Sequence, residues 1–149
     1  MKKFKFSLQS VDKYKRTVEK LQMGELRRAR ESLRELDARR DSFTRALSAA
    51  REEREGGLSD GLTAEELLAY DRYFGRIREL YAALAPRIAR AEREVAEREA
   101  ALIRTKNELK AYAKLRDREL AEWRSEAAAE EALAIGERVA FGVAAPGSP

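Results

Sequence analysis

The sequence predicts an all-α fold, a long antiparallel two-helix coiled-coil hairpin whose second helix overhangs the first. Three observations predict it. From Leu67 the apolar residues Tyr70, Phe74, Ile77, Tyr81, Leu84, Ile88, Ala91, Val95, Leu102 and Leu109 recur in steps of three and four, with only Arg98 and Thr105 off type, a heptad kept over six repeats. A comparable stripe runs between Leu8 and Ala50. Composition agrees, since 39% of the 149 residues are charged and Ala, Glu, Arg and Leu dominate, as in long helices rather than two-layer globules.

A helix over residues 63–139, at about 1.5 Å per residue, reaches roughly 110 Å. A single apolar stripe that long does not persist alone in water and needs a partner helix. Residues 1–7 alternate charge and aromatic ahead of helix one, predicted over 8–56. Its stripe is Leu8, Val11, Tyr14 and Val18, then Leu26, Ala29, Leu33, Leu36, Arg40, Phe43, Leu47 and Ala50. Between Val18 and Leu26 the phase slips through Gln22 in a four-four step, a stutter that unwinds the supercoil locally. Gly56 and Gly57 end helix one, because glycine tolerates the positive φ a reversal needs, and 57–62 is the turn. Thr63-Ala64-Glu65-Glu66 is a capping box that opens helix two.

Folding about that turn pairs Leu47 with Tyr70, Phe43 with Phe74, Leu33 with Leu84 and Leu26 with Ala91, and brings Leu8 near Leu109. Pro86 falls inside the rhythm without breaking it, which predicts a kink rather than an end. Beyond Leu109 a second stutter shifts the stripe to Ala113, Arg116, Leu120, Trp123 and Ala127. Residues 140–149, rich in Gly and Pro, are expected to be disordered.

Composition excludes most chemistry. With no His and no Cys, the usual bases, nucleophiles and soft metal ligands are missing, and no disulfide framework is available. Glu65/Glu66 and Glu130/Glu131 are adjacent on exposed helix and suit capping and solvation, not a catalytic cleft. Gly56, Gly57 and Gly61 lack the Gly-Lys-Ser/Thr ending of a phosphate loop. A two-helix seam has no wide core and offers little room for a small substrate. We therefore expect no enzyme and no cofactor or metal. No apolar run follows Lys2 and Lys3, and none approaches the length of a membrane span, so a cytoplasmic protein without membrane insertion is expected.

Charge is uneven. Residues 1–20 hold Lys2, Lys3, Lys5, Lys13, Lys15, Arg16 and Lys20 against Asp12 and Glu19. Residues 104–118 hold Arg104, Lys106, Lys110, Lys114, Arg116 and Arg118 against Glu108 and Asp117, and the hairpin gathers both runs at the end with the termini. A solvated charged face is the plain reading of either run, and their coincidence favours a binding role. From Glu119 to Glu137 the sign reverses, with six Glu against Arg124.

Lys3-Phe4-Lys5-Phe6-Ser7-Leu8 with Val11, Tyr70-Asp71-Arg72-Tyr73 after the turn, and Leu109 to Arg118 followed by a charged helix together resemble the flagellar FliJ family, over nearly the whole chain. The resemblance implies a stalk-like antiparallel coiled coil, similar to the central stalk of rotary ATPases, in the cytoplasmic part of the flagellar type III export apparatus. It implies that the end with the termini engages the hexameric export ATPase FliI, that the turn end contacts the export gate protein FlhA, and that export chaperones are recycled. A peripheral association with the inner-membrane apparatus follows.

The family's gate stripe matches Tyr73, Ile77, Leu80 and Leu84. Ile77 and Leu84 already belong to the seam, whereas Tyr73 and Leu80 widen the apolar face beyond one partner helix. On helix one Phe43 fits the family pattern, but Ala46 and Ala50 stand where larger groups are expected. At the end that the resemblance gives to the ATPase, the two basic runs supply Lys13, Lys15, Arg16, Lys106, Lys110, Lys114 and Arg118 as the candidates for that contact. Two other classes stay open. One is a nucleic-acid-binding coiled coil using the basic end with Phe4, Phe6 and Tyr112, against which the net charge of only +4 and the acidic overhang argue. The other is a self-associating structural or holdase-type coiled coil.

Overall fold

A computed structural model describes residues 2–144, whose regular structure is two helices, α1 (Gln9–Asp60) and α2 (Ala64–Ala144), with no strand among the described residues. The helices pair antiparallel within two compact units. A turn-end unit comprises Lys20–Ile103, and a terminal unit joins the residues up to Glu19 to those from Arg104 onward.

The reversal lies later than the glycine pair suggested. α1 passes through Gly56 and Gly57 to Asp60, and the one positive φ among the described residues is at Gly61, 89°. Glycine permits a left-handed residue but does not demand one, and Gly61 takes the cap because Leu62 can then fold back over Gly57. A Cβ on Gly57 would lie 2.9 Å from Cδ2 of Leu62, so the missing side chain is what makes room. The Thr63 hydroxyl accepts the Glu66 N–H at 3.2 Å, and the Thr63 carbonyl accepts the Leu67 N–H at 3.1 Å. The turn is thus 61–63 instead of 57–62. At the far end α2 continues through residues 140–144, part of the expected tail. Residues 145–149 lie outside the described residues.

Moving the reversal by a few residues slides α1 along α2 by about one heptad. Glu25, expected near Ala91, bonds Arg98 at 2.6 Å. Phe74, expected opposite Phe43, lies under the Arg54 guanidinium at 4.8 Å. A whole-heptad slip keeps apolar faces opposed, so the same residues stay in the seam with different partners. In the turn-end unit Leu26, Ala29 and Ala50 of α1 and Phe74, Ile77, Leu84, Ile88 and Leu102 of α2 are buried. Tyr81 occupies a seam position yet remains 45% exposed, as suits a side chain with an apolar body and a polar tip. Pro86 is exposed, and α2 continues on both sides of it.

The terminal unit departs further from expectation. Val11 and Tyr14 face solvent, Tyr14 at 66% exposure, while Leu8, Asp12, Lys15 and Glu19 are half-buried. On α2, Thr105 is buried, Glu108, Leu109, Tyr112 and Glu119 are half-buried, and Ala113 is exposed. Beyond Leu109 the shift does occur: Leu120, Trp123 and Ala127 are half-buried as expected, although Ala113 and Arg116 are exposed. The first stutter does not form, since Asp12, Lys15, Glu19, Gln22 and Leu26 keep the three-four rhythm through polar positions. The reason is pairing, which makes polar groups tolerable in a seam. Lys15 meets Glu108 at 2.6 Å, and Asp12 accepts from Arg16 at 2.8 Å. Glu119 accepts the Ser7 N–H at 3.0 Å and also the Ser7 hydroxyl. The N-terminal segment is strapped along α2 in the same way. Phe6 is buried, Phe4 meets Trp123 edge-on at 6.1 Å and lies under Arg116 at 5.7 Å, and the indole N–H of Trp123 donates to the Lys2 carbonyl at 3.1 Å.

Candidate partner-binding surfaces

The five gate candidates occupy three environments. Ile77 and Leu84 are buried between the helices, which makes them packing residues. Phe43 and Leu80 are half-buried. Tyr73 alone is substantially open, at 42% exposure, beside a Phe74 that is only 3% exposed. These two rings sit 6.3 Å apart and tilted, and Tyr70 stacks on the same phenylalanine at 6.2 Å, giving a fixed aromatic cluster just after the turn.

Sequence reasoning missed what this cluster borders. Ala46, Ala49 and Ala50 of α1 and Ala69 of α2 form the floor of a notch of about 450 Å³, with Tyr70 and Tyr73 as one wall and Glu53 and Glu66 as its carboxylates. Ala46 and Ala50 counted as poor matches because larger side chains were expected there; their smallness is what opens the notch. The signal was in the sequence as four small residues at 46, 49, 50 and 69, which the expected pairing of Leu47 with Tyr70 already sets near one another, and it was missed because small side chains counted as a poor match. The Tyr70 hydroxyl is pushed above its ordinary pKa, first by burial and then by the Glu53 charge and hydrogen bond.

The seven basic candidates all fall in the terminal unit, but they are not equivalent. Lys15 is held by Glu108, whose hydrogen bond raises the ammonium above its usual range. Arg16 is held by Asp12 and likewise raised, chiefly by that hydrogen bond. Lys13, Lys106, Lys110, Lys114 and Arg118 are exposed and form no ion pair with the described residues. Four of them, from Lys106 to Arg118, are spaced four apart and trace one slowly turning face of α2. Farther along, Leu133, Ile135, Val139 and Phe141 are exposed amid the acidic residues.

Among the described residues no group of carboxylates is arranged to hold a metal ion, and no helix is long and apolar enough to cross a membrane. No curated protein and no solved structure matches the chain. The protein-family model described as "Flagellar FliJ protein" matches residues 4–147. That span takes in the N-terminal strap, both helices of the hairpin and the basic face, and the chain belongs to the flagellar FliJ family.

Proposed function

We propose that this chain is a non-enzymatic linker that couples the export ATPase FliI to the export gate FlhA, the ATPase through the basic face of the terminal unit and the gate through the aromatic surface of the turn-end unit. Membership of the FliJ family makes it a structural component of the flagellar export apparatus. The observation that carries the finer reading is the row Lys106, Lys110, Lys114 and Arg118, exposed and without internal ion pairs. Four like charges on one face repel one another, and a complementary acidic surface relieves that repulsion. Such attraction is long-ranged and loosely directional, which suits a part held by a ring without being locked to it. Recycling of export chaperones and a peripheral seat at the inner-membrane apparatus complete the proposal.

Reversing Lys106, Lys110 and Lys114 to Glu is the test. ATPase stimulation should be lost and binding to the gate's cytoplasmic domain kept, with helicity unchanged because the face lies off the seam. Stimulation by the unaltered chain should fall as salt shortens the screening length toward a few ångströms, about 3 Å at 1 M. A triple variant that stimulates normally at low salt removes this face from the mechanism.

A further inference from the structure

We infer that the alanine-floored notch beside the turn is a receptor for an arginine side chain presented by a helical segment of a partner. The notch lies entirely within the turn-end unit, and its chemistry divides into three parts. The floor of Ala46, Ala49 and Ala69 offers methyl groups and nothing larger, a surface for the aliphatic stem of a long side chain. Tyr70 and Tyr73 supply aromatic surface fixed in place by Phe74. The carboxylates of Glu53 and Glu66 line the same space and form no ion pair among the described residues.

The occupant follows from these groups together. A leucine or phenylalanine knob would satisfy the floor and wall but strip water from two carboxylates without giving either a counter-charge, Glu53 keeping only its hydrogen bond with the Tyr70 hydroxyl, a net cost. A lysine brings charge as a compact, strongly hydrated point that does not lie flat on a ring. A guanidinium stacks on an aromatic face and at the same time donates in two directions to carboxylates. The protein already uses the stacking part of this chemistry, with Arg54 over Phe74 at 4.8 Å and Arg116 over Phe4 at 5.7 Å. A lining shared by the antiparallel helices α1 and α2 favours a side chain delivered from a third helix laid across them. The inference rests on the proposed gate contact for the partner's identity, and it adds that the gate segment meeting the turn-end unit is basic.

The experiment uses the full chain with labelled alanine methyls and two alanine-rich helical peptides, identical except for a central Arg or Leu. The Arg peptide should shift the Ala46, Ala49 and Ala69 methyl signals saturably. Glu53→Gln with Glu66→Gln should weaken it by about tenfold or more, the equivalent of about 1.4 kcal/mol or above, while the backbone N–H of residue 66 keeps its bond to the Thr63 hydroxyl. Ala49→Leu, which fills the notch from an exposed position, should abolish the shifts without loss of helicity. Equal or tighter binding of the Leu peptide, indifferent to the Glu→Gln changes, overturns the inference, as does the absence of shifts with both peptides. Adding the gate's cytoplasmic domain separates the two readings. An Arg peptide that binds as expected but is not displaced by the gate supports the notch and removes the gate as its partner.

Discussion

Replacing Phe74 by alanine should cost the turn-end unit about 3–4 kcal/mol, since truncating a buried phenylalanine costs about 3–5 kcal/mol and a two-helix seam can partly collapse on the void. The ring is 3% exposed, so nearly all of its area is at stake. Its contacts with Tyr70 and Tyr73 contribute about 0.5–1.5 kcal/mol each beyond burial. The Arg54 guanidinium over its face contributes about 0.5–1 kcal/mol more, and is left without its seat when the ring goes. Tyr81→Ala is the internal control: the residue has the same size and the same helix, but at 45% exposure it should cost only about 1–1.5 kcal/mol. Urea unfolding followed by far-ultraviolet circular dichroism reads both, with a common slope so that midpoints report stability. If Phe74→Ala costs no more than Tyr81→Ala, the seam described for this unit is wrong.

Two further outcomes test the turn and the strap. Gly56 is helical with open space where a Cβ would stand, so Gly56→Ala should stabilise by up to about 1 kcal/mol, whereas Gly61→Ala, at a φ of 89°, should destabilise by about 1–2 kcal/mol; the reverse order in thermal melts would return the turn to the glycine pair. The Ser7 hydrogen bonds hold the Glu119 carboxyl below its ordinary pKa, so their stabilisation is full above the unfolded-state value and is lost as pH falls through the lower folded value. Acid titration of Trp123 fluorescence should therefore show a transition below the usual glutamate range, and Ser7→Ala should move it up toward that range; an unmoved transition would uncouple the strap from Glu119.

The seam of the turn-end unit was legible because from Leu67 to Leu102 its heptad positions are apolar almost without exception, and burial there follows hydrophobicity. Register was not legible. Gly56-Gly57 and Gly61 are chemically equivalent candidates for a reversal, and only the seat of Leu62 over Gly57 selects between them. The terminal unit misled for a different reason. On α1 its seam is filled by Asp12, Lys15 and Glu19, so the phase defined by Val11 and Tyr14 pointed at solvent, and reading apolar residues produced a stutter through Gln22 that the polar positions make unnecessary. The later shift to Leu120, Trp123 and Ala127 was legible from its apolar residues. The binding surfaces divide likewise. Tyr73 as an open aromatic and the Lys106–Arg118 row were readable from spacing, but the internal commitment of Lys15 and Arg16 depends on partners 93 and four residues away. The notch was invisible because it is made by side chains that are small.

The order in which these contacts can form differs sharply along the chain. The Thr63 cap closes over a separation of three residues, Glu25–Arg98 over 73, and Ser7–Glu119 over 112. Closing a longer loop costs more entropy, and that cost falls when nearer contacts have already tied the chain together. During synthesis the turn and its aromatic cluster can assemble once α2 has grown a few turns, while Phe4 and Phe6 must wait until Trp123 has emerged. Until then the two phenylalanines and the lysines among them are an untethered basic-aromatic segment, available to chaperones and to stray partners. The strap is the last piece to close, and with it the chain's only tryptophan acquires its folded surroundings.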